Sequence, residues 1–243
     1  MTAPMPWPKS LWKHTAPEMA ENPPLADDLN VDVTVIGAGF TGLRAALALA
    51  EAGLSVVVLD GGDVGWGASG RNGGQVNPML PFNSPQQIKT LVGDRIFEAL
   101  AEQSLNSADE VFDLINTYQI DCQARQNGWL RVHHSKAAQQ KATADIANWN
   151  AIGAEMRIAD AEEVTALSGT QAYRTGTVNP RGGALHPLMF VRGLASAALA
   201  RGARIFGQST ETVSPFCTPS PARPPATART RAAVSDQLRR VWP

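Results

Sequence analysis

Cysteine is nearly absent from this chain: 243 residues hold two, Cys122 and Cys217. Their placement matches no metal-binding spacing and excludes a disulfide framework. No apolar run of about 18 residues occurs, which excludes a helical membrane span. A basic excess is missing too. Lys and Arg number 21 against 22 Asp and Glu, a formal net charge of −1, so a protein built mainly to bind nucleic acid is not expected. The proline-rich start, Met1 to Ser10, has no apolar stretch of the secretory kind. Neither a Ser/His/Asp signature nor a cluster of metal ligands is visible. These absences lead to an expectation of a cytoplasmic protein with no bound metal, no membrane and no nucleic-acid partner.

What is present suits a globular protein. Hydrophobic residues make up 44% and charged residues 18%, enough apolar material for a packed core. The charge is unevenly spread. Residues 1–212 carry 16 basic and 21 acidic residues, whereas 213–243 carry five Arg, one acid (Asp236) and six of the 17 prolines. The final stretch is a different kind of sequence from the rest.

The most informative segment is 31–60. Val31 to Ile36 is a β-branched run that reads as a buried strand. Gly37-Ala38-Gly39-Phe40-Thr41-Gly42 follows. Leu43, Ala46, Leu47 and Ala50 then fall on one face of a helix, and Gly53 closes it. Ser55 to Leu59 is a second strand with Asp60 at its C-terminal end. The order is strand, helix, strand, in the roughly 30 residues a βαβ unit needs.

Further on, 61–78 contains eight glycines or prolines and reads as a loop, long enough to suggest a function. A helix is expected over 94–121, with an apolar stripe of Ile96, Leu100, Leu105, Ala108, Val111, Phe112, Leu114 and Ile115. Gly128 to His133 and Tyr173 to Asn179 read as strands, and Ser135 to Trp149 and Asp160 to Leu167 as helices, Asp160 serving as an N-cap. Pro187 opens a helix with Leu188, Val191, Leu194, Ala195, Ala198 and Leu199 on one face, and Ala203 to Phe206 begins another strand. The lead, 1–30, reads as an extended arm lying on the surface.

The glycines of 37–42 have separate mechanical duties. Gly37 permits the tight turn, Gly39 lets a pyrophosphate approach bare backbone, and Gly42 lets the helix pack closely. The helix N-terminus presents N–H groups and the positive end of its dipole to phosphate. Asp60, 18 residues beyond Gly42, can accept from the ribose hydroxyls. Strand, helix, second strand and acid agree, so the segment reads as a dinucleotide site. The acid fits FAD and NAD equally and disfavours NADP. The loop Gly65 to Gln75, with Ser69, Arg71, Asn72 and Gln75 as donors among glycines, favours FAD, because a NAD enzyme seldom needs such a loop there.

Other residues read blandly. His133 and His134 point to opposite faces of a strand, a geometry wrong for a shared metal. His186 reads as a residue that starts a helix, and Cys122 as a small buried side chain. No catalytic base is identifiable.

Val35 to Gly42, the strand ending at Asp60, and Gly67-Ala68-Ser69-Gly70-Arg71-Asn72-Gly73-Gly74-Gln75 together resemble the FAD-dependent amine/D-amino-acid oxidase (DAO) family. The gamma-glutamylputrescine oxidoreductase-like branch is the most similar, helped by Ser10-Leu11-Trp12 and Gly183 to Pro187. The resemblance is specific over 31–78 and diffuse to about 210. It implies an α/β fold, α+β overall, with a Rossmann-like FAD-binding βαβ domain and a partial inserted substrate domain. It places the FAD pyrophosphate at Gly37, Gly39, Phe40, Thr41 and the helix start, with Gly42 packing. Asp60 takes the ribose where the family usually has Glu. Ser69, Arg71, Asn72, Gly73, Gly74 and Gln75 lie along the pyrophosphate and isoalloxazine. The implied reaction is oxidation of the C–N bond of a primary or secondary amine or amino acid to an imine, with hydride transfer to flavin and O2 as acceptor.

The expected organisation is an N-terminal arm (1–30), a first FAD-binding segment (31–92), a partial substrate domain (93–180), a return to the FAD-binding domain (181–212) and a disordered Pro/Arg-rich tail (213–243). Pro215, Pro219, Pro221, Pro224 and Pro225 bar that tail from a central strand. A truncated or frame-shifted family member is therefore expected, binding FAD weakly. An inactive fragment that at most binds nucleotide and a NAD-dependent dehydrogenase are the alternatives.

Overall fold

The protein is described by a computed structural model, which describes residues 6–20, 22–78 and 83–209. The expectation of a disordered tail at 213–243 lies outside the described residues. Two compact units are present. Among the described residues, the first takes in those up to Gly73, the short passage Ile120–Cys122, and those of 186–209. The second comprises Gly74–Gln119 and Gln123–Leu185.

The first unit is built on a three-stranded parallel sheet of β1 (Val33–Ile36), β2 (Val56–Leu59) and β8 (Arg204–Phe206), in the order β1-β2-β8. Val33 pairs with Val56 and Ile36 with Leu59, and Val57 pairs with Arg204. β2, in the middle, is buried along its whole length. β1 departs from the expectation of a buried strand. Its residues alternate between half-buried and exposed, and Ile36 is 60% exposed. The reason is pairing: among the described strands, β1 has a neighbour on one side.

Helix α2 (Phe40–Glu51) buries Leu43, Ala46, Leu47 and Ala50, the face its periodicity predicts. It packs on α7 (Pro187–Ala200), whose Pro187, Leu188, Phe190, Val191, Leu194, Ala195 and Ala198 are buried. Leu199, expected on that face, is 41% exposed, and Phe190 takes an inner place instead. Ile120 joins this unit by packing on α7. A Cβ at Gly193 would lie 2.2 Å from its Cγ2. The expected extended arm contains a short helix, α1 (Leu11–Thr15), capped by Ser10, whose hydroxyl accepts from Lys13 N–H.

The second unit holds α3 (Pro85–Val92), α4 (Asp94–Thr117), α5 (Lys136–Asn150) and α6 (Ala161–Ser168). Its antiparallel sheet runs in the order β4 (Trp129–Val132), β6 (Gly176–Asn179), β5 (Arg157–Ala159). A two-stranded ladder joins β3 (Gln75–Val76) to β7 (Gly183–Ala184). Ile88, Phe97, Ala101, Ile146, Trp149, Ala154 and Met156 form its main core. α4 is rotated from its expected stripe. Phe97, Ala101, Ser104, Ala108, Phe112 and Ile115 face inward, and Ile96 is 55% exposed. The bulkier Phe97 wins the inner position from its β-branched neighbour. Asp160 caps α6 as expected, accepting from Glu163 N–H. α3, β5, β7 and the short β3 inside the glycine-rich stretch are not legible from hydrophobic period, because each is shorter than the window that reveals one. The second unit extends at both ends beyond residues 93–180. No helix among the described residues is long and apolar enough to cross a membrane.

Candidate functional site

The turn between β1 and α2 organises the first unit's site. Gly37 adopts φ +100°, a region that favours glycine, and its N–H donates to Leu59 O at 2.7 Å, closing the end of β1 on β2. Gly42 sits so near this turn that a Cβ on it would lie 2.0 Å from Gly37 O and 3.2 Å from Val35 Cγ1. The close approach expected of Gly42 is thus real, and it is made to the glycine turn itself.

Asp60 does more than end β2. Its Oδ2 accepts from Ala38 N–H at 2.6 Å and its Oδ1 from Gly62 N–H at 2.8 Å. One carboxylate therefore pins both the motif turn and the start of the following loop. Each oxygen keeps a further lone pair, so acceptance from a ribose hydroxyl remains open. The backbone of Asp60 is tied to β8, donating to Phe206 O at 3.0 Å and accepting from Ser209 N–H at 2.8 Å.

Ser69 belongs to a 3-10 turn at Ala68–Gly70. Its hydroxyl accepts from Phe40 N–H at 3.0 Å, and so caps α2 from a distant part of the chain. Gly39, the N-cap by position, has no side chain to do this. A Cβ there would lie 2.8 Å from Ser69 Oγ. A side chain at Gly39 would collide with the loop's hydroxyl, so glycine here lets Ser69 reach the start of α2. Thr41 is exposed on the first turn of α2, and Phe40 stacks at a tilt on Phe190, with ring centroids 5.3 Å apart.

The loop is fixed to α7 by its own glycines. At Gly65, φ is +75° and a Cβ would meet Val191 Cγ1 at 2.4 Å. At Gly70 a Cβ would meet Gly65 O at 2.2 Å and Leu188 Cδ1 at 2.9 Å. Arg71 lies over the Trp66 ring at 4.6 Å, and its Nε donates to Gly67 O at 3.2 Å. Asn72 Nδ2 donates to Ser69 O at 2.9 Å and to Ala68 O at 3.3 Å. Gly73 is exposed and has open space around it. These residues share the first unit with the motif turn. Gly74 and Gln75 open the second unit. Gly74 O accepts from Leu185 N–H at 2.8 Å and Gln75 pairs with Ala184.

Sequence reading missed three contributors here. Trp12 Nε1 donates to Asn72 O at 2.8 Å, and Trp7 Nε1 to Asp63 Oδ2 at 2.9 Å. Arg44 on α2 carries an Nη1 that is buried and has no hydrogen-bond partner in the described structure. Tryptophan indoles in a proline-rich lead carry no periodic signal that would reveal such bonds.

The histidines have structural duties. His186 is buried and caps α7, its Nδ1 accepting from Met189 N–H at 3.2 Å. The ring proton is thereby placed on Nε2, which donates to Thr15 Oγ1 at 3.0 Å. His133, also buried, sits between the hydroxyls of Thr175 and Thr177, each at 3.0 Å. Burial first, and Arg192 second, hold the His186 pKa below its ordinary value of 6.5. Burial, Arg131 and His134 lower that of His133. The unfolded chain takes up these protons near pH 6.5, the native chain only at lower pH. Stability is therefore full above 6.5 and is lost as pH falls from there toward the folded values. Urea midpoints are expected to drop between pH 7.5 and 5.5, and His133→Gln should shrink that drop. Equal midpoints for the native sequence at the two pH values would contradict this account.

Among the described residues, no group of three or more His, Cys, Asp or Glu is placed to hold a metal ion.

Comparison with known proteins agrees with this geometry. Residues 32–214 match the family model for FAD dependent oxidoreductase, DAO. A probable oxidoreductase, OrdL, of Haemophilus influenzae is 36% identical over 193 residues, covering 77% of this chain and 43% of its own length. Gamma-glutamylputrescine oxidoreductase of Escherichia coli is 33% identical over 206 residues, covering 82% of this chain and 46% of its own. The chain thus spans less than half the length of these curated relatives. Among solved structures, L-amino acid deaminase from Proteus myxofaciens aligns with a TM-score of 0.63 at 22% identity, over 78% of this chain and 40% of that one. Glycine oxidase from Geobacillus kaustophilus aligns at 0.60 and 18%, over 73% and 46%. At such identities the structural likeness establishes the fold. The family match covers most of the sequence, and it falls on the turn, acid and loop described above: the chain belongs to the DAO family of FAD-dependent oxidoreductases.

Proposed function

We propose that this chain provides the FAD-holding part of an oxidoreductase that converts the C–N bond of a primary or secondary amine or amino acid to an imine, with O2 as the final acceptor. The single observation that carries the reading is the Asp60–Ala38 pin. It sets a carboxylate at the end of β2 directly on the glycine turn at the N-terminus of α2. The relatives' names support the substrate class: one is a gamma-glutamylputrescine oxidoreductase, and a glycine oxidase shares the fold.

The residues suit FAD. Gly37 and Gly39 carry no side chain at a helix N-terminus, where the positive end of the helix dipole favours a pyrophosphate, and the N–H groups of Gly37, Ala38 and Phe40 hold the turn in shape through Leu59 O, Asp60 and Ser69. Phe40, Thr41 and the Ser69 hydroxyl border that turn, and Gly42 lets α2 reach it. Asp60 has lone pairs left for ribose hydroxyls. Arg71, Asn72 and Gly73 continue the loop, with Asn72 holding Ser69 in place. When bound, FAD supplies the hydride acceptor, which no side chain can. The chain's own work is to fix the cofactor and, at the substrate, to favour the neutral amine over the ammonium ion, whose nitrogen lone pair is tied up by a proton. The first compact unit is assigned the cofactor and the second the substrate.

An absorbance scan of the purified full-length chain, titrated with FAD, tests the reading. The spectrum of protein-bound flavin is expected. In Asp60→Asn an amide NH2 faces one of two backbone donors. The unsatisfied donor costs about 1–3 kcal/mol of stability, and losing the charged acceptor for the ribose hydroxyls, worth about 1.5–3 kcal/mol, should lower flavin affinity by roughly 10- to 100-fold. Binding of a nicotinamide nucleotide without flavin would overturn the proposal in favour of a NAD-dependent dehydrogenase.

A further inference from the structure

We propose that the N-terminal arm is a strap that sets the shape of the cofactor loop, with Trp12 and His186 as its positioning residues; this rests on the FAD reading of that loop. Three indole N–H groups bridge arm and loop. Trp7 Nε1 donates to Asp63 Oδ2 at 2.9 Å, Trp66 Nε1 to Pro6 O at 3.2 Å, and Trp12 Nε1 to Asn72 O at 2.8 Å. Two come from the arm and one from the loop, so the segments hold each other at three separate points. All three lie within the first unit.

The third bond reaches the candidate site in two further steps. Asn72, held by Trp12 at its carbonyl, donates from Nδ2 to Ser69 O at 2.9 Å. Ser69 accepts from Phe40 N–H at the start of α2. A hydrogen-bonded path therefore runs from the arm to the helix N-terminus assigned to the pyrophosphate. Through it, the arm governs where the Ser69 hydroxyl sits.

The arm cannot order itself. α1 has five residues, far fewer than an isolated helix needs in water. Its anchor is α7. Thr15 Oγ1 accepts from His186 Nε2 and donates to Leu11 O at 2.7 Å. The Trp12 ring meets the His186 ring edge-on, with centroids 4.8 Å apart. Arg192 Nη1 donates to Pro17 O at 2.5 Å. His186 is fixed in turn by its cap on α7 and by its own N–H, which donates to Cys122 O at 2.8 Å. Its neutral tautomer serves both partners at once: one ring nitrogen caps α7 and the other holds α1.

The test uses the full chain and two variants. Trp12→Phe keeps an aromatic ring against His186 and removes the N–H. Thr15→Val removes the hydroxyl that joins α1 to His186. Amide exchange of residues 63–73 is followed without added flavin, FAD affinity is titrated separately, and the urea midpoint reports global stability. Losing one such bond is expected to speed loop exchange by roughly 5- to 10-fold and to weaken FAD binding by a similar factor in each variant, with the midpoint little changed in Trp12→Phe and lowered in Thr15→Val, which leaves the buried His186 Nε2–H without its acceptor. Unchanged loop exchange overturns the strap, whatever flavin does. Faster exchange with unchanged FAD affinity overturns its link to the cofactor. Faster exchange in a chain that never binds FAD upholds the strap and removes the FAD reading instead.

Discussion

Replacing Gly42 with valine is expected to abolish flavin binding and to destabilise the first unit by about 3 kcal/mol or more. The obstacle is backbone. A Cβ at this position would lie 2.0 Å from the Gly37 carbonyl oxygen, far inside contact distance. That carbonyl cannot swing away cheaply. Gly37 is held at φ +100°, and its N–H is bonded to Leu59 O at the end of β2. The helix must move instead, yet Leu43, Ala46 and Leu47 on its inner face are fully buried. Overpacking of a well-filled core typically costs 1–3 kcal/mol. A clash with a fixed backbone atom lies at or beyond the top of that range, against a total stability of about 5–15 kcal/mol. Gly67→Ala is the matched control. Gly67 has ordinary backbone angles and nothing within 4 Å of its notional Cβ. A urea titration and an FAD titration of both variants decide the matter. If Gly42→Val binds flavin as the unaltered chain does, the packing account of this glycine is wrong.

That contrast bears on how much of the site was legible in the sequence. The strand-glycine-helix-strand-acid order is local, spelled out by β-branched runs, a 3.6-residue period and glycine spacing. The buried face of α2 matches its pattern residue for residue, and the family resemblance resting on 31–78 is upheld by the match over 32–214. What sequence could not supply was the partner of each polar group. Asp60 reads as a ribose ligand, yet in the fold its two oxygens accept from Ala38 and Gly62. Ser69 reads as a loop donor, yet it accepts as a remote helix cap, 29 residues from Phe40. Such bonds depend on where separate segments meet, and no residue period encodes that.

The same limit explains the misread elements. β1 reads as buried because Val31 to Ile36 is almost wholly apolar or β-branched, but burial needs neighbours on both sides and β1 has one among the described strands. α4 offers two overlapping apolar stripes, and composition alone does not say which faces inward. The choice falls to the face carrying Phe97 and Ala101, which packs in one core with Ile88 and Trp149.

Trp149 carries the second large expected effect. It is 1% exposed, at the centre of the core that joins α4 and α5 in the second unit. Its carbonyl accepts from Ile152 N–H and Ala154 N–H, and its neighbour Asn150 bonds Met156 through both backbone groups at 2.7 Å. The turn after α5 is thus fixed from both sides and cannot collapse into a hole. A cavity that cannot relax carries the full penalty, so Trp149→Ala should destabilise the second unit by about 3–5 kcal/mol. Ile152→Ala, three residues on and 37% exposed, should change stability by about 0.5 kcal/mol or less. Amide exchange locates the effect. Protection should be lost across 88–101 and 146–156, whose side chains lose their common partner. A stability loss below about 1 kcal/mol for Trp149→Ala would mean that the turn after α5 does yield, and that Asn150 and Met156 do not hold it in place.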